Sequence, residues 1–425
     1  MTLVWWLVGA AVVWTLLTNV ARLRGLVPEY VRVRGPLCSI RTAWIPSPVR
    51  RLAAFERGWR VWGTFGVVAT FLLMAAMGLF LVVVAGVLLT HPAVTTNASG
   101  STLPTDFDTS IPLASVIVAF TLALVGHELG HAVVCLVEDI DVDAVGIGFV
   151  VFVPRSVFVA PDYESRERAS PMAQLRLFAA GVANNVALGA VALAVLFGPL
   201  TGAIAPVAGV PVAGVAPGSP ADGTLHRGDV VTAVEGHAVR DEASLSAALD
   251  RVDDRRIRLS LADGRTISVR RTALDDPRLG IVGYEAPPVV TGTRYDGVRG
   301  LVTRIGWLVS APTAAVSTAD SRAGFLGVAG PLTSFYVPRG PLAVLGSGVF
   351  VLVNVAFWTA WFCLVLGTLN ALPIVLLDGG HLIRVVFRTV AAALPVSDPE
   401  FVAALGVLAV SAVTVLSFVV IVVVP

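Results

Sequence analysis

His-Glu-Leu-Gly-His, residues 127 to 131, lies inside an apolar run that extends from Ile111 to Val137. A helix of about 20 apolar residues spans a bilayer, so this run is long enough to cross one. A charged side chain near the centre of such a helix costs roughly 2.5–3.5 kcal/mol on insertion scales, and ionisable residues there are usually functional. The stretch therefore predicts both a membrane protein and the position of its chemistry.

The spacing within this stretch is typical of a metal site. On a helix, His127 and His131 share one face and lie one turn apart, and Glu128 is adjacent to the first. This H-E-x-x-H arrangement predicts Zn²⁺ held by both imidazoles, with Glu128 as the general base that takes a proton from water. The alternative is two packed core histidines beside a stray glutamate. The cost of three polar groups at membrane depth weighs against it.

The composition indicates a membrane protein over the whole chain. Of 425 residues, 56% are hydrophobic and 14% are charged, whereas about 25% are charged in soluble proteins. The net charge of +1 gives no general attraction to nucleic acid, and the three cysteines have no disulfide or C-x-x-C spacing. The predicted fold is a polytopic α-helical membrane protein with about six transmembrane helices in a lipid bilayer. The six runs are approximately Leu3–Val20, Thr64–Thr90, Ile111–Val137, Leu175–Leu200, Leu342–Leu369 and Val402–Val424.

The loops between these runs predict the orientation. The loop from Ala21 to Gly63 carries nine arginines against two glutamates, and the loop from His91 to Ser110 has no Lys or Arg. Because cytoplasmic loops are enriched in positive charge, we expect the first loop in the cytoplasm and the second outside. The His-Glu helix then enters from outside, which puts the active site in the cytoplasmic half of the membrane. The outer loop also contains Asn97-Ala98-Ser99, which matches a glycosylation acceptor.

The segment from Ala144 to Ala160 is predicted to form an extended, membrane-embedded β-hairpin. It is rich in Val and Phe, and Pro154-Arg155-Ser156 interrupts it. At membrane depth a strand is tolerated only where protein or a water-filled cavity adjoins it, a condition that a hairpin lining the active site satisfies. Its edge would then be available to pair with an unwound substrate strand. An ordinary hairpin at the membrane interface fits the sequence equally well.

Two adjacent asparagines, Asn184 and Asn185, follow Gly181 inside the fourth run. Polar side chains inside a span need partners. One of the two can point into the catalytic cavity and hold a substrate carbonyl or the oxyanion. Contact between helices, which Gly181 and its neighbouring alanines would bring close together, is the alternative.

A third protein ligand is expected, because catalytic zinc sites usually combine three protein ligands with water. Asp378 follows the fifth run, after Pro373 has broken or kinked the helix, and a carboxylate at that depth is costly without a partner. His381 is the rival candidate, and Glu138 is a weaker one. A plain Asp-Gly turn that ends a helix is the structural alternative.

Residues 208 to 287 include the densest charge in the chain and are predicted to form a small soluble, β-rich α+β domain. Strand and turn patterns follow one another from Val212 to Val239, and a short helix is expected at Leu245 to Leu249. This order resembles a PDZ domain of the kind attached to membrane and periplasmic proteases, which implies a peptide-binding groove or a steric filter. The charge bias places this insert on the outer side.

Four motifs follow one another across roughly residues 110 to 385. They are His127-Glu128-x-x-His131, Ser170-Pro171 with Leu175-Arg176 before Gly181-x-x-x-Asn185, the PDZ-like insert, and Asn370-x-x-Pro373-x-x-x-Leu377-Asp378-Gly379. This ordered set resembles the site-2 protease family of intramembrane zinc metalloproteases. The resemblance implies zinc on His127, His131 and Asp378, with Glu128 activating water. It also implies that Asn185 and Asn370 position substrate or stabilise the tetrahedral intermediate.

The implied reaction is hydrolysis of peptide bonds in transmembrane segments of single-pass membrane proteins, typically after another protease has removed the substrate's outer domain. The PDZ-like domain would meet peptide termini or the substrate ectodomain. Two competing classes remain, a non-catalytic PDZ-bearing membrane scaffold of the same fold and a metal transporter. An intact Glu128 weighs against the scaffold. A transporter would carry acidic or histidine groups on several helices, whereas here they converge on one site.

The predicted organisation has six parts. They are two N-terminal transmembrane helices and loops (1–110), catalytic core helices (111–200), the PDZ-like domain (208–287), an interfacial or loop segment (291–341), a third core helix with the Asp378 motif (342–385) and a C-terminal transmembrane helix (386–425).

Overall fold

The computed structural model describes residues 2–91, 111–151, 153–200, 202–252, 254–270, 279–283, 297–317 and 327–423. The triplet Asn97-Ala98-Ser99 lies outside the described residues, as do parts of the predicted segments 208–287 and 291–341. The chain divides into two compact units. One comprises Met1–Ser99, Thr121–Gly189 and Phe362–Pro425, and the other comprises Gly100–Phe120 and Ala190–Trp361.

Long apolar helices dominate the chain. Within the described residues, five helices are long and apolar enough to cross a membrane, namely Glu56–Thr90, Leu113–Val137, Pro171–Phe197, Gly348–Ala371 and Pro399–Val423. They confirm the prediction of a helical membrane protein with several spans. The helices are α1 Thr2–Leu23, α2 Ser47–Ala53, α3 Glu56–Thr90, α4 Leu113–Val137, α5 Tyr163–Arg168, α6 Pro171–Phe197, α7 Glu242–Leu249, α8 Gly297–Ser317, α9 Gly348–Ala371, α10 Asp378–Ala392 and α11 Pro399–Val423.

Two of the predicted spans compare differently with these helices. The first, Leu3–Val20, lies within α1, which has 22 residues. The fifth predicted span was wrong at its start, because Gly340–Leu345 is a 3₁₀ helix and α9 begins at Gly348. Gly346 between them has φ +52°, a left-handed conformation that glycine adopts without strain and that interrupts the helical path.

A four-stranded antiparallel sheet in the first unit contains the predicted hairpin. In spatial order its strands are β1 Val31–Arg34, β2 Leu37–Thr42, β3 Val142–Val150 and β4 Val153–Pro161. The hairpin is β3 paired with β4, and β2 pairs with the other side of β3. The prediction missed β1 and β2, whose alternation of arginines with apolar residues was counted only as loop charge. β4 is thus an outer strand of the sheet.

The second unit contains most of the predicted soluble insert. In spatial order, the strands of its larger sheet are Thr266–Arg270, Arg256–Leu261, Val230–Val234, Val210–Val215 and Ile281–Gly283, and His237–Ala238 pairs with Val230–Val234. The helix α7 begins with a capping box between Asp241 and Ser244. Buried side chains from the sheet and α7, including Leu249, Ile257 and Leu259, form one hydrophobic core. The strands are β5 Ile204–Pro206, β6 Val210–Val215, β7 Val230–Val234, β8 His237–Ala238, β9 Arg256–Leu261, β10 Thr266–Arg270 and β11 Ile281–Gly283, while β12 Tyr336–Pro338 pairs with β5.

Small residues let the helices of the first unit approach closely. A Cβ atom on Gly66 of α3 would lie 2.7 Å from the Ala183 Cβ of α6, and one on Gly130 of α4 would lie 2.6 Å from the Ala180 carbonyl oxygen. Both contacts are shorter than real Cβ atoms make, so glycine is required at each position. α6 therefore packs directly against α3 and α4, as helices do in membranes where small residues line the contact.

Candidate metal centre

α4 presents two buried imidazoles on one face. His127 and His131 are 6% and 8% exposed, and their Nε2 atoms are 3.3 Å apart. The one-turn separation of residues i and i+4 produces this arrangement, because both side chains project from the same side of the helix. Two nitrogen ligands therefore already face a common point.

Asp378 completes a group of three. Its Oδ2 lies 3.1 Å from His127 Nε2 and 3.3 Å from His131 Nε2. All three ligand atoms lie within 4.8 Å of one another, and among the described residues this is the one group of three or more His, Cys, Asp or Glu side chains that could hold a metal ion. The structure thus brings together the three predicted ligands.

A tight turn between α9 and α10 places Asp378 beside the two imidazoles. α9 ends at Ala371, two residues before Pro373, whose ring cannot continue a helix. A Cβ on Gly379 would lie 2.4 Å from the Ala371 carbonyl oxygen, and one on Gly380 would lie 2.0 Å from that of Ile374. The Asp-Gly-Gly sequence therefore lets α10 begin directly against the turn. Asp378 lies in the first turn of α10, where the helix dipole favours a carboxylate.

Hydrogen bonding shows that this group suits a cation. His131 Nδ1 is 2.9 Å from the Leu177 carbonyl oxygen, which can only accept, so Nδ1 carries a proton and Nε2 is the ring nitrogen that faces His127 and Asp378. Asp378 Oδ2 is at ion-pair distance from both Nε2 atoms, yet it is buried and has no hydrogen-bond partner among the described residues. Facing lone pairs repel one another without a positive ion between them. The donor set, two imidazoles and a carboxylate, suits Zn²⁺.

Asn185 supports the first imidazole. The amide is fully buried, its Nδ2 lies 3.3 Å from His127 Nδ1, and its Oδ1 has no partner among the described residues. Turning the carboxamide so that Oδ1 faces Nδ1 makes His127 the donor through Nδ1, and Nε2 is then the nitrogen directed towards the metal position, as in His131. Metal-binding histidines are commonly held by such a hydrogen bond on the other ring nitrogen.

The family model for peptidase family M50 matches residues 115–414. The chain belongs to this family. The M50 peptidases are zinc-dependent, and the matched range includes the three residues of the metal group and Glu128. Together with the five long apolar helices, membership makes this M50 peptidase an integral, multi-pass membrane protein. No curated protein matches the chain significantly.

Glu128 of the M50 peptidase faces the edge of the four-stranded sheet. Its Oε2 accepts a hydrogen bond of 2.9 Å from the backbone N–H of Val159 in β4. Val159 lies opposite Val145 of β3, and opposed residues in an antiparallel pair alternate between bonding each other and bonding outward. The Val159 N–H is one of the outward groups. The outer strand therefore orients the carboxylate that lies next to the metal ligands in sequence.

The two asparagines of α6, Asn184 and Asn185, make different contacts. Asn184 accepts a hydrogen bond from the indole of Trp62 in α3 and donates one to the Gly126 carbonyl of α4, so it joins three helices. Asn185 instead contacts His127. The sequence left open which asparagine faces the site, and the structure assigns that place to Asn185.

Asn370 lies in the last turns of α9. Its amide donates to the Leu366 carbonyl oxygen one turn earlier, and its role towards substrate stays a prediction.

The rival third ligands have other partners. The His381 ring stacks on Phe178 at 4.9 Å, with 18° between the planes. Glu138 accepts a hydrogen bond from Arg176 at 2.9 Å and lies 3.7 Å from Arg60. Neither belongs to the group that could hold a metal, which leaves Asp378 as the third member.

A polar network that the sequence did not predict ties α10 to α5 and α6. Arg388 donates to the buried Gln174 of α6 at 2.8 Å and also pairs with Glu167 of α5. Burial alone would raise the pKa of the Glu167 carboxyl, but the hydrogen bond and charge of Arg388 hold this pKa below its ordinary value. Glu167 therefore stays ionised at neutral pH and keeps α10, the helix that carries Asp378, in place.

Gly181 is predicted to be indispensable for metal binding. A Cβ there would lie 2.4 Å from His127 Cε1 and 2.6 Å from His131 Nε2. We expect Gly181→Ala to lower zinc affinity about tenfold or more, because both imidazoles must move. Zinc per purified chain, titrated against a chelator, measures the effect. Gly86→Ala is the matched control, since a Cβ at Gly86 in α3 meets nothing within 4 Å. Equal zinc affinity in both variants would contradict the packing described here.

The Val159 N–H is predicted to support peptidase activity. Val159→Pro removes the donor to Glu128, and proline is tolerated on outer strands where the N–H is not used by the sheet. A hydrogen bond to a charged group is worth about 1.5–3 kcal/mol, so we expect kcat to fall roughly ten- to a hundredfold with zinc content unchanged. Zinc content per chain is the control, because it shows whether the metal group has survived the substitution. A kcat equal to that of the wild type would show that this bond has no role.

Proposed function

We propose that this protein is an intramembrane zinc protease of the site-2 type, which hydrolyses peptide bonds in transmembrane segments of membrane-anchored proteins. The observation that carries the proposal is the convergence of Asp378 with His127 and His131. The two histidines and Glu128 lie on α4, a helix long and apolar enough to span a membrane. Membership of peptidase family M50 supports the reaction class.

The proposed reaction assigns a role to each residue. His127, His131 and Asp378 hold zinc, which supplies Lewis acidity for attack of water on a peptide carbonyl. Glu128 takes a proton from the attacking water and delivers it to the leaving amine nitrogen. Asn185 orients His127, and its amide is close enough to the metal ligands to also serve substrate positioning. Asn370 is proposed, with Asn185, to position substrate or to stabilise the tetrahedral intermediate.

The outer strand supports a mode of substrate binding. A helical substrate hides its carbonyl groups in its own hydrogen bonds and must unwind before cleavage. β4 offers a sheet edge next to Glu128, so an unwound segment laid along β4 would pass the general base. Pairing of this kind recognises the backbone of the substrate and depends little on its side chains. It therefore suits an enzyme whose substrates have a membrane span in common and differ in sequence.

The soluble insert is proposed to act as a PDZ-like filter for substrates. Its antiparallel sheet with one capped helix supports a PDZ-like fold, and the charge bias of the loops puts it on the outer side. There it would meet peptide termini or an ectodomain, and it would exclude substrates whose outer domain has not yet been removed. The active site would lie in the cytoplasmic half of the membrane.

Cleavage of a single-pass test substrate by the purified, zinc-loaded protein tests the proposal. We expect Glu128→Gln to keep its zinc and to lose activity about 10²-fold or more, the usual contribution of general acid–base catalysis. Glu164→Gln, in an exposed part of α5, is the matched control and should cleave like the wild type. A second substrate that retains a bulky ectodomain should be cut only when residues 208–287 are replaced by a flexible linker.

The outcomes separate the alternatives. Full activity of Glu128→Gln would contradict the mechanism. Zinc binding without cleavage of any substrate by the wild type would favour the PDZ-bearing scaffold, and zinc flux into vesicles would favour the transporter. Equal selectivity with and without residues 208–287 would remove the filter role and leave the protease assignment intact.

A further inference from the structure

One face of the four-stranded sheet carries a cavity that the proposed reaction does not use. Its volume is about 370 Å³, within the roughly 300–1,000 Å³ range of small-molecule sites. All of its lining residues belong to the four strands of the sheet. They are Arg32, Arg34, Leu37, Cys38, Ser39, Arg41, Gly148, Phe149, Ser156, Phe158 and Ala160.

Two glycines of β3 keep this cavity open. The strand register aligns Ser39, Gly148 and Ser156 in one row across β2, β3 and β4, and Arg41 with Gly146 in the next row. A Cβ on Gly148 would lie 2.7 Å from Ser156 Oγ. Side chains on one face of neighbouring strands normally touch. A glycine has no side chain, so these two positions of β3 leave space between the side chains of β2 and β4.

The cavity is positively charged, and its charge is not neutralised. Among the described residues, Arg32, Arg34 and Arg41 form no ion pair, and Arg41 Nε is buried with no hydrogen-bond partner. The Arg41 guanidinium lies 5.8 Å from the centre of the Phe158 ring, which holds it in place on the sheet. A buried cationic donor without a partner is costly, and such groups commonly mark an ion that binds there.

The other polar groups in the cavity add donors rather than negative charge. Ser39 and Ser156 contribute hydroxyls, which can donate to an anion. Burial raises the pKa of the Cys38 thiol, so the thiol is neutral at pH 7. Glu29 lines a neighbouring cavity that shares Arg32 and Arg34, but it does not line this one.

We propose that this cavity is a binding site for a phosphate group. Guanidinium groups match phosphate oxygens with paired hydrogen bonds, and three arginines with two hydroxyls can satisfy a group that carries up to two negative charges. The phosphate can belong to a phospholipid headgroup or to a soluble phosphate. The arginine-rich loop that supplies β1 and β2 is expected on the cytoplasmic side, where both sources occur.

The site lies on the same strand that orients Glu128. Ser156, Phe158 and Ala160 face the cavity, and the N–H of Val159 between them donates to Glu128. A bound phosphate would therefore contact the strand that holds the general base without touching the metal ligands.

Two probes applied to the purified full-length protein test the proposal. The first is radiolabelled inorganic phosphate in equilibrium dialysis, at constant ionic strength set with chloride. The second is the shift in unfolding temperature between nanodiscs of phosphatidylcholine alone and nanodiscs that also contain phosphatidic acid. Arg41→Gln removes the buried cation, and Ser39→Leu fills the cavity without changing charge. Arg57→Gln is the matched control, because it removes an exposed arginine of the same loop that does not line the cavity.

We expect at least one probe to bind the wild type and Arg57→Gln equally, and to bind Arg41→Gln and Ser39→Leu about tenfold more weakly or worse. Binding of inorganic phosphate assigns a soluble ligand. A stabilising shift with phosphatidic acid alone assigns a lipid headgroup. Failure of both probes on the wild type overturns the proposal, as does an equal effect of Arg41→Gln and Arg57→Gln. None of these outcomes depends on proteolysis, so the phosphate site is tested independently of the protease assignment.

Discussion

The arrangement of His127, His131 and Asp378 away from water is the constraint on which the rest of the first unit depends. Three groups whose lone pairs face one another at 3.1–3.3 Å are unfavourable in an apolar surrounding unless a cation joins them. Several glycines, which lower the stability of a helix, make room for this arrangement. Gly181 makes room for the imidazoles, and Gly379 and Gly380 let α10 begin against the preceding turn. Helix-weakening glycines are thus concentrated where the metal group needs space.

The surrounding hydrogen bonds form a second layer that fixes these groups. The Leu177 carbonyl sets the protonation of His131, and Asn185 faces the other ring. Ser411 of α11 accepts from the Val375 N–H and donates to the Pro373 carbonyl, so it holds the turn that leads to Asp378. Farther along α10, Arg388 anchors the helix to Gln174. The supporting residues are spread over α6, α10 and α11, whereas the ligands come from α4 and α10.

What the sequence could predict depended on how local each signal was. The i, i+4 spacing of two histidines is a property of one helix, so their meeting was predictable. Asp378 was predictable because a carboxylate at that depth needs a partner. By contrast, the bond from Val159 to Glu128 uses a backbone N–H, which has no sequence signature, and the link from Arg388 to Gln174 joins residues 214 positions apart. β1 and β2 were missed because short strands rich in arginine look like loop until β3 provides their partner. The early start given to the fifth span arose because a 3₁₀ helix of apolar residues has the same composition as a span.

The most direct test of the metal centre is zinc K-edge X-ray absorption spectroscopy on the purified protein, combined with zinc stoichiometry. We expect one zinc per chain, with a first shell of nitrogen and oxygen at about 2.0–2.2 Å that includes two imidazoles. Asp378→Ala should keep the imidazole signal while occupancy falls. A shell containing sulfur at about 2.3 Å, or a shell without imidazole, would contradict the assignment of His127, His131 and Asp378.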